Sequence, residues 1–238
     1  LISCSFATKT RTELNARIAS YRLLIGSNTA VLCLQNGIDS FEAAARFHGG
    51  EKVLPGAAYI DGSLEGPGVV RQIGNDVEIV FGEPDGAESP RCEAISATFR
   101  KAGIPANLSN NIQRTLWTKF LYIATRAGVM SLSRQTMDHL LPLPEWRRVI
   151  MGCMEEINTV GLASGVDLDQ NIVQDTIEYI EGALDEMHAS MHADILAGRP
   201  LELEALNGAV VRAGESAGVP TPTNNVIYAA LKPFASGS

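Results

Sequence analysis

The chain has 238 residues, 45% of them hydrophobic, so it can bury a sizeable core and we expect two globular domains. Its formal net charge of -8, with no dense run of Lys and Arg, argues against nucleic acid or an anionic membrane as the main partner. No apolar run approaches the roughly 20 residues of a membrane span, no signal peptide is visible, and a small-molecule site remains open. The four cysteines, Cys4, Cys33, Cys92 and Cys153, are widely spaced in apolar surroundings, as is typical of reduced core thiols in a cytosol, so we expect a cytoplasmic protein.

Strands and helices alternate over residues 1–109, which predicts half of a doubly wound α/β sheet. We predict strands over residues 1–7, 30–34 and near Ala106, and helices over residues 12–25, 41–48 and 89–102. Between them, residues 53–60, 68–73 and 77–81 are predicted as short β segments joined by turns at "DGSLEGPG" and "GND". The chain opens without an initiator Met and inside a predicted buried strand, so we expect it to begin within a larger protein.

The second part of the chain, residues 110–238, is predicted to be an all-helical domain. Gly165, Gly198 and Gly218 stand where helix C-termini need a residue that tolerates the left-handed region. The predicted helices cover residues 110–130, 144–164, 169–184, 186–197, 202–217 and 223–231.

Polar residues follow the first two predicted strands, where ligands collect in open α/β sheets. Lys9 follows the first strand, and Gln35, Asn36 and Gly37 follow the second. A cation and an amide at adjacent strand ends, with a glycine that permits close backbone approach, could cradle a polar ligand. Alternatively, "QNG" is an ordinary turn and Lys9 a solvated side chain.

Lys119 lies in the otherwise apolar stretch "TLWTKFLYIATRAGVM". At about 3.6 residues per turn it falls on one stripe of a helix together with apolar residues, namely Ile112, Leu116, Ile123, Ala127 and Met130. Its long stem could carry the ammonium to water, or partial burial could lower its pKa towards neutrality, where it can act as a general acid.

Glu202 follows Pro200 in "GRPLELEALNG" and is predicted to lie in the first turn of the next helix. There its carboxylate could complement the helix dipole or bind a ligand. The two interpretations remain open.

His188 and His192 have the i, i+4 spacing of a zinc pair, but "HASMH" offers no glutamate of the HExxH type and no third ligand is apparent. We therefore predict no metal site. Ser190 between them is either an exposed serine or a ligand-binding hydroxyl.

A series of motifs in this order resembles the ketopantoate reductase (2-dehydropantoate 2-reductase) family over essentially all 238 residues. The motifs are "LCLQNG", "LEGPGVVRQIG", "NIQRTLWTKF" and "SMHADILAGRPLELEALNGAVVRAGESAGVPTP". The resemblance implies that residues 1–109 are the remainder of a Rossmann dinucleotide-binding domain. It likewise implies that residues 110–238 form a helical substrate-binding domain like the C-terminal domain of 6-phosphogluconate dehydrogenase.

The resemblance also implies NADPH-dependent reduction of a 2-oxo acid, ketopantoate to pantoate, in pantothenate biosynthesis and so on the way to coenzyme A. Lys119 matches the family's catalytic lysine, which protonates the developing alkoxide, and Glu202 matches the carboxylate that binds the substrate hydroxyl. Lys9 and Asn36 match cofactor-binding positions; Asn36 would help orient the reacting carbonyl of the substrate or the nicotinamide ribose, and Ser190 would meet the substrate carboxylate. Because the helices of the second half are apolar, a homodimer is possible.

Two departures from the family pattern bear on the substrate. Where characterised members have asparagines four and eight residues after the lysine, this chain has Ile123 and Ala127. A more apolar pocket discriminates against ketopantoate, so the alternatives are a D-2-hydroxyacid dehydrogenase for more apolar 2-oxo acids, or a noncatalytic relative that binds a nucleotide or a protein. The Gly-rich loop is expected before residue 1, so NADPH rather than NADH rests on the resemblance alone.

Overall fold

The computed structural model describes residues 2–4, 18–184 and 189–237. Lys9, His188 and residues 12–17 of the first predicted helix lie outside this range. The described residues divide into two compact units, residues 2–4, 18–35 and 40–116 in one and residues 36–39, 117–184 and 189–237 in the other. The predicted division between residues 109 and 110 stays a prediction.

The first unit contains a five-stranded mixed sheet in the order β1-β2-β3-β4-β5. β1, β2 and β3 pair in parallel, β3 and β4 are antiparallel, and β4 and β5 are parallel again. All three residues of β2 are buried, as a sheet covered on both faces requires. The strands are Ile2–Cys4, Val31–Cys33, Val53–Gly66, Val69–Phe81 and Ala106–Leu108.

The three short β segments predicted between residues 53 and 81 are wrong in one respect, because β3 and β4 form one long hairpin. The chain turns only at residues 67–68, where Gly68 has a φ of 76°. The predicted turn at "GND" lies inside β4: the pairing moves from Tyr59 with Glu78 to Asp61 with Ile73, so four residues face one. The glycine and the polar residues that indicated a turn therefore lie in a bulge, and the pairing of β3 with β4 continues on both sides of it.

The helices begin and end at recognisable residues. Pro90 and Pro144 occupy first helical positions, and the Ser89 hydroxyl accepts a hydrogen bond from the Cys92 amide at 3.2 Å. Gly218 ends α8 with a φ of 69°. The α-helices with bounds in the described residues are α1 Ser40–His48, α2 Pro90–Lys101, α3 Ile112–Ser133, α4 Met137–Leu140, α5 Pro144–Ala163, α6 Ile172–Gly182, α7 Ser190–Leu196, α8 Asn207–Ala217 and α9 Pro222–Leu231.

The second unit is helical and has its own apolar core, built from α3 to α9. The predicted fold class is confirmed: a sheet with mostly parallel pairs and helices is followed by a helical domain. Among the described residues, no helix is both long and apolar enough to cross a membrane. The largest fully buried side chains of this core include Phe120, Leu121, Met130, Met137, Ile150 and Met154.

The predicted helix over residues 202–217 begins later than expected, at Asn207. Residues 203–206 form a turn, in which the Glu202 carbonyl accepts the amides of Ala205 and Leu206 at 3.0 and 3.1 Å. Leu201 and Leu203 are both buried, and a spacing of two is not the spacing that places residues on one face of a helix. The prediction that Glu202 lies in the first helical turn is therefore wrong.

Candidate active site

Lys119 lies on α3 along the predicted apolar stripe. Ile112, Leu116 and Met130 of this stripe are buried, and Lys119 itself is partly buried. A helix of 22 residues, packed along one face, thus carries an ammonium on its buried side. Such a placement is unfavourable for a charge unless other groups stabilise it.

The amide of Asn36 supplies one such group. Lys119 Nζ donates a hydrogen bond to Asn36 Oδ1 at 3.1 Å. Asn36 comes three residues after the end of β2 and is followed by Gly37, whose φ is 102°. A Cβ on Gly37 would lie 2.7 Å from the Ala205 carbonyl oxygen, so both the backbone angle and the close approach require glycine.

Glu202 supplies a negative charge to the same ammonium. The carboxylate is partly buried in the segment before α8, where the buried neighbours Leu201 and Leu203 fix the backbone. Its charge raises the pKa of Lys119, against the larger effect of burial. The structure therefore brings two predicted residues, Asn36 and Glu202, to the amine of a third, Lys119. Glu202 acts from a loop and turn and not from a helix.

Burial lowers the pKa of Lys119 from 10.5 to about 8, because an ammonium loses hydration there, and the negative charge of Glu202 offsets part of this fall. An amine with this pKa is mostly protonated at neutral pH. It also releases its proton far more readily than an exposed lysine, which is the property that a general acid needs.

The residues one and two turns after Lys119 on the same face are apolar. Ile123 is partly buried and Ala127 is 5% exposed. That these two positions make the substrate pocket more apolar stays a prediction, although both lie on α3 as expected.

Three other sequence candidates have different outcomes. Ser190 is exposed at the first position of α7, and its role towards a substrate carboxylate stays a prediction. Lys9 lies outside the described residues, so its cofactor role also stays a prediction. Within the described ranges no group of three His, Cys, Asp or Glu side chains could hold a metal ion, and His192 is buried in α7.

Sequence reasoning missed Arg212 and Asp39, which form an ion pair at 3.2 Å close to this amine's partners. The available signal was a single arginine in the apolar run "GAVVRAG", a position where a cation needs a partner.

Comparison with known proteins matches two family models to the chain. Ketopantoate reductase PanE/ApbA matches residues 6–86, and Ketopantoate reductase PanE/ApbA C terminal matches residues 111–235. The chain belongs to the ketopantoate reductase family. As a member it is an oxidoreductase that acts on a CH–OH group.

Single relatives agree with this assignment. The 2-dehydropantoate 2-reductase of Mycobacterium tuberculosis is 30% identical over 219 residues, which cover 90% of this chain and 70% of that protein. The crystal structure of 2-dehydropantoate 2-reductase from Geobacter metallireducens has a TM-score of 0.85 and 28% identity, and covers 93% of this chain and 74% of that one.

A second solved structure shares the fold but has another activity. D-mandelate dehydrogenase in complex with NADH has a TM-score of 0.85 and 23% identity, and covers 96% of this chain and 76% of that one. At this identity the likeness extends to the fold alone. The ketopantoate reductase fold thus supports more than one 2-hydroxy acid chemistry.

Proposed function

We propose that the protein reduces a 2-oxo acid to a 2-hydroxy acid with NADPH, that ketopantoate is the substrate, and that Lys119 is the proton donor. The observation that carries the proposal is the partly buried Lys119 amine, held by Asn36 at 3.1 Å and with its pKa lowered to about 8. Reduction of a carbonyl requires a proton at the oxygen as hydride arrives at carbon.

The residues after β2 fit the nicotinamide end of such a cofactor. Gln35 Oε1 is buried, and no hydrogen-bond partner lies within reach in the described part of the chain. A buried amide acceptor without a partner is unfavourable unless a ligand donates to it, and a carboxamide or ribose hydroxyl is such a donor. Gln35 and Asn36 would hold the cofactor here, and when bound it supplies the hydride.

Four residues of the chain have proposed roles in proton transfer and substrate binding. Lys119 donates the proton to the substrate oxygen that becomes the hydroxyl. Asn36 accepts from Lys119 and fixes the direction of the ammonium. Glu202 stabilises the protonated amine between turnovers and offers its carboxylate to a distal hydroxyl of the substrate. Ser190 is proposed to bind the substrate carboxylate.

Ile123 and Ala127 favour a second candidate substrate class. Two apolar side chains beside the amine cannot donate to the polar groups of ketopantoate, and they suit a branched or aromatic 2-oxo acid. The resulting enzyme would be a D-2-hydroxyacid dehydrogenase with the same proton donor.

A substrate panel tests the proposal. The full protein is assayed with ketopantoate, 2-oxoisocaproate and phenylpyruvate, each with NADPH and with NADH. We expect kcat/KM for ketopantoate with NADPH to be at least about tenfold higher than kcat/KM for the other two acids. A preference for the apolar acids would establish the second candidate, and no turnover with any 2-oxo acid would contradict both and favour a noncatalytic binding protein.

We also propose that the protein forms a homodimer and that it is cytoplasmic. The dimer is supported by the apolar side chains Leu162, Tyr179 and Val226, which are exposed on α5, α6 and α9. Sedimentation of the full protein at micromolar concentration measures its mass, and a monomer would contradict this expectation.

A further inference from the structure

Two segments carry the partners of Lys119, and a single arginine connects them. The first, the amide loop, is residues 36–39 and contains Asn36; the second, the carboxylate turn, is residues 202–206 and contains Glu202. Arg212 of α8 contacts both. Asp39 is its partner in the amide loop, and Glu204 is its partner in the carboxylate turn.

The guanidinium of Arg212 makes three contacts that use its fork geometry. Nη2 donates to Asp39 Oδ2 at 3.2 Å and to the backbone carbonyl of Glu204 at 2.6 Å, and Nη1 donates to Glu204 Oε2 at 3.0 Å. Its side chain is 30% exposed, against 25% for Asp39 and 19% for Glu204, so these ion pairs are partly shielded from water. Shielded, multidentate pairs of this kind hold geometry better than exposed ones.

Glu204 is itself fixed from α9. Its second oxygen, Oε1, accepts the Tyr228 hydroxyl at 2.9 Å and a hydrogen bond from Lys232. Burial alone would raise the pKa of Glu204, but the bonds from Lys232 and Tyr228 lower it below its usual value. The carboxylate turn is therefore held to the helices, and Arg212 extends that hold to the amide loop.

The backbones of the two segments also touch. At Gly37, between Asn36 and Asp39, an added Cβ would lie 2.7 Å from the Ala205 carbonyl oxygen. The amide loop is thus seated directly on the carboxylate turn, and any separation of the two would move Asn36 relative to Glu202.

We propose that Arg212 is a positioning residue for proton transfer: by tying Asp39 to Glu204 it keeps Asn36 and Glu202 in place around Lys119. The three contacts of its guanidinium nitrogens go to protein acceptors, so it acts through these segments and not on the substrate. We call the contacts of Arg212 with Asp39 and Glu204 the clamp. The catalytic part of this inference rests on the proposed function of Lys119, whereas the clamp itself does not.

The clamp is tested first without reference to activity, by hydrogen–deuterium exchange of the full protein. Arg212→Met keeps a flexible, unbranched side chain but removes the guanidinium with its charge and donors. We expect faster exchange in peptides covering residues 35–39 and 202–206, with α5 and α6 unchanged. Arg147→Met is the matched control, because it breaks the exposed Arg147–Glu181 ion pair at 2.6 Å between those two helices. Unchanged exchange in both segments overturns the clamp.

Steady-state kinetics then test whether Arg212 positions Asn36 and Glu202 for proton transfer by Lys119. We expect Arg212→Met to lower kcat roughly 10- to 100-fold, the scale of a small misplacement of reacting groups, while Arg147→Met retains the wild-type value. In a Lys119→Met background the same change lowers the residual kcat less than about twofold, because there is no longer an amine to position. A loss of the same size in both backgrounds overturns the positioning role.

Two further variants keep the test decisive if Arg212→Met folds poorly. Arg212→Lys keeps the charge but loses the planar fork that contacts Asp39, the Glu204 carboxylate and the Glu204 carbonyl together, so we expect it not to restore kcat. Gly37→Ala keeps every charge but separates the segments, so it should reproduce the defect. If exchange becomes faster but kcat does not change, the positioning role is overturned and the clamp stands. If the wild-type protein is inactive on all 2-oxo acids, the proposed function is refuted, and the exchange experiment alone decides whether the clamp exists.

Discussion

Two partly buried cations, Arg91 in the sheet unit and Lys119 in the helical unit, are stabilised in opposite ways. Arg91 forms a bidentate ion pair with Glu83, with Nε donating to Oε1 at 2.6 Å and Nη2 to Oε2. That contact raises the pKa of Arg91 and, together with the Ser89 hydroxyl, lowers the pKa of Glu83. Lys119 donates instead to the neutral amide of Asn36, and burial lowers its pKa to about 8.

The difference separates a structural charge from one suited to chemistry. An ion pair with a carboxylate at bonding distance fixes both protonation states and ties elements together. A buried amine whose pKa lies near neutrality can gain and lose its proton at low free-energy cost. Variants of the two cations test this difference.

The largest expected effect is the loss of turnover in Lys119→Met. Removing a general acid lowers kcat by roughly 10²-fold or more, while affinity for the cofactor should change little. Steady-state kinetics and a cofactor titration measure the two quantities, and the exposed Lys101→Met serves as the control. Wild-type turnover in Lys119→Met would refute the acid role.

The same variant should be more stable than the wild type at pH 7. The folded state holds the Lys119 proton less tightly than the unfolded state, whose pKa is near 10.5, so between about pH 8 and 10.5 the unfolded state binds more protons and stability rises with pH. Below pH 8 the buried ammonium is fully unfavourable. Denaturant unfolding at pH 7 and pH 10.5 should show the gain of Lys119→Met at the lower pH and its disappearance at the higher; a loss of stability at pH 7 would contradict the account.

Arg91→Met should behave in the opposite way. It leaves the buried Glu83 carboxylate without its ion pair, so we expect the free energy of unfolding to fall by roughly 1–3 kcal/mol with kcat unchanged. The lowered pKa of Glu83 means that this stabilisation is present above its unfolded pKa and is lost as the pH falls through its folded pKa. Thermal unfolding at pH 7 and at a series of lower pH values measures it, and a loss that stays the same down to the acid unfolding of the protein would exclude the ion pair as its source.

The smallest expected effect concerns substrate choice. Replacing both apolar neighbours of the amine, as Ile123→Asn with Ala127→Asn, adds hydrogen-bonding groups along the same face of α3. We expect kcat/KM for ketopantoate relative to 2-oxoisocaproate to rise about tenfold. Competition between the two acids in one assay measures the ratio directly, and an unchanged ratio would show that these positions do not face the substrate.

Local sequence patterns predicted most of this arrangement. The stripe containing Lys119 followed from helical periodicity, and the position of Asn36 followed from its place just after a buried strand, because both depend on neighbours in the sequence. The fold class followed from the alternation of elements and from the family resemblance.

The errors arose where distant contacts override local preference. "GND" indicates a turn, but pairing with β3 continues past it and absorbs the extra residues. Glu202 lies among helix-forming residues, yet burial of Leu201 and Leu203 and the contacts of Glu204 with Arg212 hold a turn there. The pair of Arg212 with Asp39 joins residues 173 positions apart, a separation that no local pattern encodes.

The most direct test of the central claim is the pH dependence of kcat/KM for 2-oxo acid reduction by the wild-type protein, compared with Lys119→Arg. Protonated Lys119 is the active form in this direction, so we expect a constant rate below about pH 7 and a fall with an apparent pKa near 8. Lys119→Arg keeps the charge but holds its proton too tightly, so it should be slow and without this transition. An identical fall near pH 8 in both proteins, or its absence from the wild type, would show that Lys119 is not the proton donor.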